Sequence, residues 1–194
     1  GKLLANGTIS GLRDIILTAG TNAELNGKTV ANGTLRTEAS DDLTVGETGL
    51  AQGSAKLLLG AGRDLRIAGI ATALAGGLTA DAGANLEVAA TGRMQASQNL
   101  NASAGAQLDA DGVIAAGGGL TLTAKGDVRV GGLAAALGGR AAGDASITAG
   151  SDVVVKQNGS LQAAGTLTAN ARRSLFVAGA LSSVGDMRLA ATHD

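Results

Sequence analysis

The chain is 194 residues long, with a formal charge of −1, no cysteine, no proline and a single aromatic residue, Phe176. The balanced charge removes the electrostatic basis for binding nucleic acid or an anionic membrane surface, and the missing cysteine removes disulfide and thiol chemistry. Hydrophobic residues make up 45% of the chain. Nearly all are Ala, Leu, Val and Ile, so any core is narrow, because a thick one is normally filled with aromatics. No apolar run approaches transmembrane length, so no membrane insertion is expected.

From Ile15 onward one pattern is written nine times. Aligned on Leu120 of the stretch LTLTAKGDVRVGG, the copies start at Ile15, Leu35, Leu57, Leu78, Leu100, Leu120, Ala145, Leu167 and Met187. The spacing between starts is nearly constant and is widest from Leu120 to Ala145. Four positions after each start stands an alanine: Ala19, Ala39, Ala61, Ala82, Ala104, Ala124, Ala149, Ala171 and Ala191. A sustained period of this size means one structural unit stacked on itself. The stretch opens without a signal peptide and begins and ends inside the repeat, as expected for a piece cut from a longer shaft.

Within each copy the elements come in a fixed order. Apolar residues at positions 0, +2 and +4 alternate with polar ones, which is the period of a strand. A bend follows, with a polar residue at +7 in each copy that reaches it: Asn22, Asp42, Asp64, Asn85, Gln107, Asp127, Asp152 and Ser174. Such side chains bond nearby backbone N–H groups and hold a turn. The alanine at +4 precedes that bend, and crowding of backbone there explains why only a methyl fits. A second strand spans +7 to +10, with inward residues such as Leu65 and Ile67 or Val128 and Val130. At +9 the chain points outward, placing Arg66 beside Glu87 and Asp109 beside Arg129 across neighbouring copies.

The remainder of each copy reads as a short third strand between glycines, carrying Ile70, Ile114, Leu161 or Leu181. Most of the length variation is assigned here, and residues 131–144 are read as a projecting loop. Three short strands per turn, all running in one sense, give a right-handed parallel β-helix of about nine rungs, each of about 20–25 residues, over residues 1–194. A left-handed helix would show strict hexapeptide spacing.

The search for chemistry leaves little. His193 stands alone, with no second His and no Cys to form a metal site, so no metal and no cofactor are expected. No nucleophile elbow, zinc-protease motif or phosphate loop appears, and Gly117-Gly118-Gly119 precedes no helix. Asp42 with Asp64, and Asp127 with Asp152, stack in adjacent copies as the carboxylate pairs of a polysaccharide lyase or hydrolase would. They belong to the turn column, however, and Phe176 alone cannot line a sugar groove. Arg172-Arg173 reads as a solvated bend rather than a patch for acidic glycans, and the Thr121/Thr123 pair does not repeat as an ice-binding face would. The expectation is therefore no catalytic, cofactor or metal residues, and no enzyme.

Copies such as GGLTADAGANLEVAATG, GGLTLTAKGDVRVGG and AGTLTANARRSLFVAG resemble the repeats of filamentous haemagglutinin and its relatives, over essentially the whole chain. The resemblance implies the shaft of a large Gram-negative exoprotein, exported through an outer-membrane two-partner secretion transporter and displayed at the cell surface. It implies an adhesin that attaches to a receptor or glycan on host cells, or else the delivery arm of a contact-dependent-inhibition toxin. The Asn-Pro-Asn motifs of the family's secretion domain are not in this stretch, which holds no proline.

Overall fold

A computed structural model describes residues 1–139 and 142–192. Among these, 27 strands form three nine-stranded sheets, and every pairing is parallel. Strands three apart in sequence are neighbours in a sheet, so the chain winds through the three faces in turn and returns one rung higher. This is the parallel β-helix expected from the repeat. The rungs stack about 4.8 Å apart. The first face holds the strand with the +4 alanine, such as Leu78–Ala82; the second holds a three-residue strand, such as Leu86–Val88; the third holds a four-residue strand, such as Arg93–Ala96.

Alternation follows from the pleat. In Leu120–Ala124 the alternate members Leu120, Leu122 and Ala124 are buried, while Thr121 and Thr123 are partly exposed. The same in-out pattern places Leu65 and Ile67, Leu86 and Val88, and Val128 and Val130 in the core of the second face. Like residues stack in register, Leu57 on Leu78 and Leu78 on Leu100, so each side chain packs on its counterpart a rung away. Fully burying one such leucine is worth roughly 1.5–3 kcal/mol. The alanines from Ala19 to Ala171 are all buried, at 2–8% relative exposure.

The third face alternates in the same way. Ile70 lies in a third strand as expected, registers with Leu50 and Arg93 and is 43% exposed, while Ala71, registered with Ala51 and Met94, is the inward residue. Ile114, Leu161 and Leu181 occupy inward positions.

Every third strand is preceded by a glycine: Gly7, Gly27, Gly49, Gly69, Gly92, Gly112, Gly132, Gly159 and Gly179. At each from Gly27 onward, a Cβ would collide with a backbone carbonyl of the rung before, for example Gly7 O at Gly27 and Ile67 O at Gly92. The requirement is close approach and not backbone angle, since among the described residues only Gly138 has positive φ, at +66°. Corner two comes in two lengths. In the short form two successive N–H groups converge on one carbonyl, as Asp111 and Gly112 do on Val88 O, at 2.9 and 3.0 Å. In the long form a β-turn is inserted, closed by Gly49 N–H to Gly46 O at 2.8 Å, Gly92 to Ala89 at 2.7 Å and Gly159 to Lys156 at 2.8 Å.

These turns account for the irregular period. The rung that starts at Ile15 is among the shortest and lacks the inserted turn; the rungs of Leu35, Leu78 and Ala145 contain it and gain two positions each. The remaining additions fall at corner three, between the third strand and the next aligned start. That corner takes three positions in most rungs, with one more at 74–77 and five more at 137–144. The span 131–144 therefore divides. Leu133–Ala136 is a regular third strand, and the added length lies beyond it, with 140 and 141 outside the described residues.

Two substitutions of one kind should behave oppositely. Gly112→Ala drives a methyl into the Ala89 and Gly92 carbonyls and should lose about 1–3 kcal/mol. Gly60→Ala meets nothing closer than Glu38 Cγ at 3.7 Å and should gain about 0.4–1 kcal/mol. Denaturant melts of both variants check this. The fully buried hydroxyls of Thr29 and Thr37 have no hydrogen-bond partner. Thr37→Val should accordingly stabilise the chain by about 1 kcal/mol, measured in the same way.

Candidate functional site

The residues with chemical potential lie at the corners, and the backbone ladder explains why. At corner one the N–H groups at +5 and +6 bond carbonyls of the rung before, as Gly62 does to Ala39 O at 2.9 Å and Arg63 to Asp41 O at 2.9 Å. At +8 the sense reverses, and Leu43 N–H bonds Asp64 O of the rung after, at 2.9 Å. The N–H at +7 falls at the reversal and has no carbonyl to meet. The Asp side chain one rung earlier accepts it: Asp64 Oδ1 from Asn85 N–H at 3.0 Å, Asp127 Oδ1 from Asp152 at 3.2 Å, and Asp152 Oδ1 from Ser174 at 3.1 Å. Asp42 makes the same bond to Asp64 at 3.4 Å. The expected turn-holding role becomes a role between rungs.

Corner three uses the same device. Leu100 N–H bonds Gly119 O of the next rung, leaving the N–H before each first strand orphaned. Asp14 accepts it from Thr34 at 2.6 Å, Asn99 from Gly119 at 2.9 Å, and Asp144 from Thr166 at 2.7 Å. Sequence reasoning missed this second column. Its signal was an Asx residue one position before the first strand, followed one rung later by Thr or Gly.

Both pairs of stacked carboxylates are thus occupied. Arg63 grips Asp42 with Nε at 3.0 Å and a terminal nitrogen at 2.7 Å, and Arg173 grips Asp152 in the same two-pronged way. Arg173 is therefore half of an ion pair, with exposed Arg172 beside it. Arg66 pairs with Glu87 as expected. Arg129 does not take Asp109: although the two are in register, its guanidinium turns along its own strand to Asp127 at 2.8 Å, and Asp109 accepts Gln107 Nε2. A partner two residues away on the same face competes well with one across the ladder. Lys156 reaches over the bare backbone of Gly131 to Asp111, two rungs away, at 2.7 Å.

The other candidates are dispersed. Phe176 is 57% exposed and registers with Val154, a single ring and not a wall. Thr121/Thr123 is followed by Ser146/Thr148 and Thr168/Asn170, and the same columns carry Asp81 and Arg188 further along, so the threonine pair is not maintained. His193 lies outside the described residues. Among those residues no group of three acidic or histidine side chains gathers in a metal-binding arrangement.

Asp42 and Asp152 are held below the usual carboxylate range, foremost by the arginine hydrogen bonds. A depressed native pKa contributes stability above the unfolded value, about 3.9, which is lost as the pH falls through the native value. Arg173→Ala should therefore lower the melting temperature at neutral pH, and the deficit should vanish in strong acid, where Asp152 is protonated in either chain. Parallel thermal melts across that range check it.

The comparisons with known proteins fit this geometry. The haemagglutinin repeat model matches residues 73–139 and again 140–194. No curated protein and no solved structure is a match. With more than half of its length covered by that model, and with the stacked rungs the repeat requires, the chain belongs to the haemagglutinin repeat family.

Proposed function

We propose that these residues are a length of shaft in a large secreted exoprotein, displayed at the surface of a Gram-negative cell, whose parent attaches to host cells. The segment works mechanically, as a spacer that carries recognition regions away from the membrane, and not as an enzyme. Export runs through an outer-membrane two-partner secretion transporter, engaged by a part of the parent outside these residues. One observation carries the reading. The strands of every rung pair only with those of its neighbours, and Asp and Asn side chains at several corners hold the next rung. Family membership supports it.

A spacer tolerates loss of one whole unit. Deleting residues 35–56 joins Thr34 to Leu57 and keeps every column in phase, with Ala19 stacking on Ala61, Leu25 on Ile67 and Gly27 on Gly69. Deleting 35–45 alone puts turn sequence into strand positions. In the displayed parent protein the first deletion should preserve a folded shaft and adhesion to cultured cells, and the second should lose both. Loss of adhesion on deleting 35–56 from a shaft that still melts cooperatively would show that the segment is itself the binding region.

A further inference from the structure

One glycine has no structural cause. Gly60 is the only glycine inside a first strand among the described residues, and a Cβ there would meet nothing closer than Glu38 Cγ at 3.7 Å. Glycine weakens a strand interior, and where its own fold leaves room for a side chain it marks a place of close approach by another chain or a ligand. Gly60 registers with Glu38 on one side and Asp81 on the other, so the gap lies between carboxylates in rungs about 10 Å apart. Two surface hollows meet there. One, of 560 Å³, runs onto corner one past Ser40, Gly62 and Gly83. The other, of 180 Å³, opens over the first face between Leu58 and Thr79.

We propose that this gap receives Lys125 of a second copy of the chain, in a side-by-side antiparallel pair of shafts. The charge along this edge is uneven. Across positions +3 to +6, the rungs of Leu35, Leu57 and Leu78 carry Glu38, Asp41 and Asp81 against Arg63. The rungs of Leu100, Leu120 and Ala145 carry Lys125 alone. Arg63 is held by Asp42 and Asp64, and Arg36 by Glu38. Asp81 is the more open carboxylate, accepting only Ser103 Oγ among the described residues, at 2.5 Å. Lys125 is exposed and makes no ion pair among those residues. A twofold axis between the rungs of Leu78 and Leu100 sets each rung of Leu57 against the partner's rung of Leu120, so the exchange is made twice. At the axis the corner carries Gly83-Ala84 and Gly105-Ala106, where two backbones can come close. A parallel pair in register would instead set acid on acid and lysine on lysine. The chain already contains the contact in miniature, where Lys156 crosses the bare backbone of Gly131 to reach Asp111.

The test is sedimentation of the 194-residue chain over a concentration series, beside three variants whose folding is checked by melting. The natural chain should pair reversibly and separate in added salt. Lys125→Glu, and Glu38→Lys combined with Asp81→Lys, should each stay monomeric alone, because each sets like charge on like. An equimolar mixture of those two variants should pair again, since every gap then meets the opposite charge. Gly60→Thr, which fills the gap, should weaken pairing at least tenfold without lowering the melting temperature. The proposal is overturned by a natural chain that stays monomeric throughout, or by pairing that survives in either charge variant alone, as end-to-end stacking would. It is equally overturned by folded charge variants that do not pair when mixed, or by full pairing in Gly60→Thr. A monomeric chain leaves the shaft reading standing, because a spacer need not pair.

Discussion

At the second corner backbone lies on backbone, and the rest of the structure depends on that contact. Rungs can sit within hydrogen-bonding distance around a full turn only where the chain can bend over its predecessor without a side chain between. Glycine before each third strand removes that side chain, and the carbonyl beneath fills the space a Cβ would take. Once this corner is closed, the three faces are held at fixed spacing and the apolar columns fall into register. The core needs no aromatic, because a rung this narrow is filled by one small or medium side chain per inward position, mostly Leu, Val, Ile or Ala.

The ladder imposes a second constraint at the other two corners. A parallel strand bonds both the rung below and the rung above, and the sense of those bonds must change where one face gives way to the next. Each change strands one N–H group, and a buried or half-buried donor left without an acceptor costs about 1–3 kcal/mol. Asp or Asn one rung earlier supplies the acceptor at both corners. Six acidic residues, Asp14, Asp42, Asp64, Asp127, Asp144 and Asp152, are therefore structural acceptors, and the arginines that grip two of them strengthen the same junctions. A carboxylate pair in adjacent rungs is what this bonding produces, with no chemistry required of it.

How much of this was legible in the sequence follows from what each feature shifts against. The +4 alanine, the inward leucines and the +7 column lie at constant distance from the first strand, since corner one never changes length, and they stand out on simple alignment. The glycine before the third strand was legible near +12, but its full regularity was masked, because the inserted β-turn moves it to +14 in three rungs. The third strand was legible as an element but not its facing, because a stretch of Ala and Gly gives little alternation; register points Ile70 out and Ala71 in. The Asp109–Arg129 pair was in register as read, but register sets which residues are neighbours and not which rotamer an arginine takes.

The same constraints decide where such a rod can acquire a binding function. Corner one has three residues in every rung, held by two backbone bonds and often an Asp, and an insertion there would break the ladder on both sides. Corner two accepts only a hydrogen-bonded turn, because its glycine must return to the same carbonyl. Corner three has a single orphan N–H to satisfy, and Asp144 still satisfies it at the end of the longest excursion. Beyond that fixed turn, added length is thereby channelled to one edge of the rod. A shaft built this way keeps two corners rigid for span and leaves the third free to vary, so recognition can be added rung by rung without disturbing the stack that carries it.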